Sequence, residues 1–155
     1  MTEIDWPDCG GYTIFCDDLR QEVLGKWSFM GAYHPDILLD SLPAVLPTFG
    51  IFVTFFETSD LGVDPLELLI FLPGDADDSP THKIPIQGNR TLPPLPPGAA
   101  FENDNKRCVI RMPIKFAPLA LKEEGLIKVR MARGDMRYRI GALMVRIQKS
   151  AAPQN

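Results

Sequence analysis

Proton transfer near neutrality calls on histidine, and this chain has two, His34 and His82. His34-x-Asp36, with Asp17 and Asp18 upstream, offers three oxygens and a nitrogen suited to a hard cation, so a metal-dependent enzyme using His34, Asp17 and Asp36 is one reading. The plainer reading makes Asp17 a turn cap and leaves Asp36 in a solvated connection. No HExxH, GxSxG or paired CxxC spacing occurs, so zinc-protease, hydrolase and zinc-ribbon chemistry have no signature here. "GDADDSP" (74–80) groups Asp75, Asp77 and Asp78 but lacks the later Gly and terminal Glu of a helix-loop-helix calcium loop, and reads as a solvated acidic turn. The tripeptide Arg133-Gly134-Asp135 matches an adhesion motif, yet a tight hairpin turn needing positive φ at glycine explains it completely. Cys9, Cys16 and Cys108, odd in number and irregularly spaced, read as thiols rather than a disulfide framework. No cofactor and no catalytic residue are expected.

Charge is the stronger signal. The net charge of -4 hides a division: residues 1–105 hold 4 Lys/Arg against 17 Asp/Glu, and residues 106–155 hold 12 against 3. Much of the positive charge lies in "GLIKVRMARGDMRYRIGALMVRIQ" (125–148), where Ile127, Val129 and Met131 alternate with Lys128 and Arg130. Past Gly134-Asp135, Met136, Tyr138 and Ile140 alternate with Arg137 and Arg139. Alternation sends successive side chains to opposite faces, so Lys128, Arg130, Arg137 and Arg139 share the outer face of a hairpin. Arg133 is expected at its tip, with Arg146 and Lys149 nearby.

Crowded like charges repel across strands unless something neutralises them. The acidic half of the same chain folding over the face would do so. So would an acidic protein surface, a second copy included, or a phosphate of a nucleotide or nucleic acid. Net negative charge and the lack of aromatic residues among these cations weigh against nucleic acid. The binding surface is therefore placed on Lys128, Arg130, Arg133, Arg137 and Arg139, in a non-enzymatic binding or assembly module.

The elements that position these residues are strands. Short apolar runs at 12–18, 26–33, 49–57, 66–73, 82–87 and 108–116 are divided by Pro and Gly, and the basic hairpin and a last strand through Leu143, Val145 and Ile147 follow. Pro85 and Pro113 confine their strands to sheet edges or bulges, whereas the nearly continuous apolar run 49–57 suits a central strand. One or two helical turns are expected at 17–25 and 118–125. The pattern predicts a single all-β domain over 1–150, an antiparallel sandwich, with a long Pro-rich interstrand loop at 74–106 and a disordered tail at 151–155. Within that loop, "GNRTLPPLPPG" (88–98) matches a glycosylation sequon and a polyproline ligand, but reads best as a stiff connector. The acidic start resembles no signal peptide, and no apolar run approaches the roughly 20 residues that span a bilayer. A cytoplasmic location without membrane association is expected.

Cys16-Asp17, Gly25-Lys26, "WSFMG" to Gly31, Pro43 and Pro47 before "FGIFVTFFE", Gly125 and "IGALMV" together form a further pattern. From about Tyr12 to Arg146, the chain resembles a family of bacterial and phage-associated β-sandwich proteins defined as a domain of unknown function. The resemblance implies an immunoglobulin-like or C2-like sandwich and carries over no catalytic residue.

Overall fold

The computed structural model describes residues 9–58, 65–86 and 107–148. Their strands are β1 (Cys9–Gln21), β2 (Trp27–Ala32), β3 (Asp36–Leu39), β4 (Ala44–Leu46), β5 (Phe49–Thr58) and β6 (Leu66–Phe71). After them come β7 (His82–Ile86), β8 (Arg107–Phe116), β9 (Leu119–Leu121), β10 (Gly125–Arg133) and β11 (Met136–Ile147). One sheet has the order β2-β1-β5-β8, the second β3-β11-β10-β6-β7, and β4 pairs with β9 in a small third. Neighbouring strands run antiparallel except β3, which lies parallel to β11.

Alternation decides which side chains meet between the sheets. Phe15, Phe49, Ile51, Val53 and Phe55 from the first sheet share one core with Leu68, Ile70, Ile127, Val129 and Met131 from the second. This is an all-β, two-layer sandwich, and each of these buried side chains contributes about 1.5–3 kcal/mol relative to exposure. As expected, β5 is an interior strand, and the Pro-bearing strands β7 and β8 lie at edges, where a missing N–H breaks no ladder.

β11 is one strand where two were expected. Its register against β10 shifts between Val129 and Arg130, so Val129 faces Gly141 while Arg130 faces Arg139. One extra residue on β11 resets the alternation, which is how Ile140 and Leu143, three apart, are both buried. Gly141 is required there: a Cβ would come within 2.5 Å of the Thr13 Cβ.

Of the expected helical turns, one is present but shorter than expected, and the other is replaced by a strand. Residues 17–21 continue β1, and only Val23–Gly25 forms a 3-10 turn, at the β1–β2 connection. In 118–125, Leu119 and Leu121 are buried on alternate positions and pair with β4, so a period of two prevails over the helical signal. Cys9, Cys16 and Cys108 are free thiols. Among the described residues no helix is long and apolar enough to cross a membrane. The sequon, the polyproline stretch, Lys149 and the tail at 151–155 lie outside the described residues.

Candidate functional site

The basic hairpin forms the centre of the outer face of the five-stranded sheet. Register places Arg130 opposite Arg139, Ala132 opposite Arg137 and Lys128 opposite Ala142, so four of the five expected cations share that face. On the other side of β10, Lys128 lies opposite Phe71 and Arg130 opposite Leu69 of β6. The Phe71 ring becomes a platform: the Lys128 Nζ sits 5.2 Å from its centroid and the Arg130 guanidinium carbon 4.8 Å. Such contacts give about 0.5–1 kcal/mol each when exposed and more as water is excluded.

Arg133 departs from expectation. β10 extends through Arg133 before the turn at Gly134, whose φ is 52°. Arg133 therefore continues the row Ile127, Val129, Met131 and points inward, where it is 3% exposed and paired with Glu57, itself 2% exposed. The adhesion tripeptide is broken up by the same geometry, since its arginine is inside the sandwich.

The connection between β6 and β7 lies over the cations. Asp75 holds it closed: its Oδ2 accepts the Leu72 and Thr81 amides at 2.9 Å each and the Thr81 hydroxyl at 2.6 Å. Burial opposes the ionisation of Asp75, but the Thr81 hydroxyl and these amides more than offset it and hold the carboxyl below its usual range. Two residues on, the Asp77 carboxylate accepts hydrogen bonds from Lys128 (2.8 Å) and Arg130 (3.0 Å), and Arg137 donates to the Asp77 carbonyl at 2.7 Å. The Lys128 hydrogen bond and charge, then Arg130, hold the Asp77 carboxyl below its usual range. In the acidic turn, Asp75 is thus taken up by the Leu72 and Thr81 amides and the Thr81 hydroxyl, and Asp77 by cations.

Beside Asp77 the surface opens into a groove of about 470 Å³ lined by Asp77, Leu126, Lys128, Arg130, Arg139 and Ala142. Arg139 is exposed and has no hydrogen-bond or ion-pair partner among the described residues. Arg146, expected nearby, is on the far side of β11 from β10, paired with Asp36 of β3 at 3.5 Å. Among the described residues one carboxylate therefore serves the inner cations of the face, and Arg139 is exposed beside them. Phe71 and Asp77 were not singled out as site residues in the sequence. The signal for Phe71 was the alternation of β6, which puts Leu69 and Phe71 outward beside the basic strand.

The residues of the metal reading are not gathered. Asp17 on β1 accepts the Tyr33 hydroxyl, Asp36 is on β3 in the other sheet, and His34 is exposed between them. Burial, then the bond to Asp17, pushes the Tyr33 hydroxyl well up. Among the described residues no group of three His, Cys, Asp or Glu is arranged to hold a metal ion. No family model, no curated protein and no solved structure matches the chain, so no residue role comes to it from a relative.

Proposed function

We propose that the protein is a non-enzymatic binding or assembly module that docks an acidic protein surface, a second copy of itself included, through Lys128, Arg130, Arg137 and Arg139. The observation that carries this reading is that the face already accepts an aspartate from its own acidic half while Arg139 has no partner among the described residues. A carboxylate and a peptide carbonyl are both bound there, which is what an acidic segment of another protein presents. Charge of this kind raises encounter rates and selects partners more than it adds affinity. The same proposal places the module in the cytoplasm, as an immunoglobulin-like sandwich of the bacterial and phage-associated family it resembles, without a cofactor.

A second reading has its own support. The groove volume of about 470 Å³ falls within the span of small-ligand sites, roughly 300–1,000 Å³, so a nucleotide phosphate would fit the same cations.

The test is association at low salt, by ultracentrifugation for self-assembly and by fluorescence anisotropy with a labelled hexa-aspartate peptide. Arg139→Glu, and Arg130→Glu with Arg137→Glu, should abolish both. Retention of every association in these variants would sink the proposal. Binding of a nucleotide but not of the peptide would favour the second reading.

A further inference from the structure

We infer that Asp77 is a displaceable internal ligand of the groove, and that the partner's recognition element is an aspartate-bearing segment that takes over its contacts. This rests on the proposal that the groove docks an acidic partner, and it names both what is recognised and what holds the site closed.

Three observations combine. First, one residue is read at two points: the Asp77 carboxylate by Lys128 and Arg130, and its carbonyl by Arg137. That geometry recognises a carboxylate attached to a peptide rather than charge alone. Second, the grip is weak on the Asp77 side. Lys128 and Arg130 are largely covered, but the Asp77 side chain is 72% exposed, so charge holds it and packing does not, and solvent competes for its carboxylate. Third, release need not unfold anything. Asp75 ties Leu72 to Thr81 independently, so the connection keeps its shape when Asp77 lets go. Arg139, exposed beside Asp77 on the groove wall, is the cation an incoming acidic segment meets first. Exchange then follows: the incoming aspartate takes Lys128 and Arg130, and Asp77 returns to water. Because Asp77 competes only when ionised and in place, the apparent affinity is reduced by the fraction of molecules in which the cations are occupied.

Asp77→Asn and Asp78→Asn separate this exchange from simple charge. Both remove one negative charge from the same turn, but among the described residues only Asp77 touches the cations, while Asp78 is exposed. With the labelled hexa-aspartate peptide at low salt, Asp77→Asn should tighten binding about 3- to 10-fold, the range expected from losing one or two exposed ion pairs. Asp78→Asn should change it less than about twofold. Asp75→Ala, which loosens the turn and leaves Asp77 charged, should also tighten binding, so the inference does not hang on one variant. Equal effects of the Asp77 and Asp78 changes, or none at either, overturn the exchange and leave the docking proposal standing. Peptide binding to none of these proteins overturns both.

Discussion

Arg130 and Arg133 lie three residues apart on β10 and meet opposite fates. Arg130 faces outward, stacks on Phe71 and shares Asp77 with Lys128. Arg133 faces inward and pairs with Glu57 in the core. Both are arginine–carboxylate pairs between the basic and acidic halves of the chain, yet their surroundings make one exchangeable and the other fixed. Water reaches the carboxylate of the first, so Asp77 can leave at little cost while Arg130 stays packed on Phe71. The second has no water to return to, and removing one partner strands a charge in the interior.

The comparison can be broken most forcefully at its buried member. Glu57→Gln should destabilise the protein by about 3–5 kcal/mol in denaturant unfolding, because Arg133 stays charged and loses its carboxylate. The double change Glu57→Leu with Arg133→Met should recover most of that loss, since buried pairs are often replaced by apolar residues without cost. A double variant as unstable as the single one would show that Glu57 and Arg133 do more than neutralise each other.

Next in size is the bulge that keeps both arginines in register. Gly141→Val should cost about 1–3 kcal/mol by driving a side chain into Thr13, measured as a lower unfolding midpoint with unchanged m-value. It should also weaken the groove, which Gly141 helps to line. A variant with wild-type stability would mean that β11 can shift its register freely.

The outward member should respond to acid. The Asp77 carboxyl titrates below its unfolded value, so its contribution is present above the ordinary carboxylate range and is lost as pH falls through its folded value. Asp75, and Asp18 held down by Lys115 and then Arg20, behave alike. Thermal unfolding followed from about pH 7 to about pH 2 should therefore show a shallower acid loss in Asp77→Asn than in the wild type. Identical profiles would mean that Asp77 adds nothing to the folded state. The smallest effect belongs to Arg139→Glu, which should change stability by less than about 0.5 kcal/mol while abolishing anion binding.

Much of the sandwich was legible because alternation is a local property. Val53 and Phe55, or Val129 and Met131, announce an inward face without knowledge of any partner strand, and Pro85 and Pro113 mark edges because a missing N–H is missing everywhere. The short strands β3, β4 and β9 were not legible. Three or four residues carry too little pattern, and each exists through the strand it pairs with.

For the site, the sequence alone determined which residues bear charge and that Lys128, Arg130, Arg137 and Arg139 share a face. Tertiary structure decided what meets them. Asp77 is about fifty residues upstream of Lys128, and only the pairing of β6 with β10 brings its turn over the hairpin. The fate of Arg133 lay between these levels. Its parity with Met131 was readable, but where β10 ends, and that Glu57 waits on the opposite sheet, depended on how the two layers pack. A strand's period is set by its own backbone; the carboxylate that neutralises each of its cations is set by which distant segment the fold delivers.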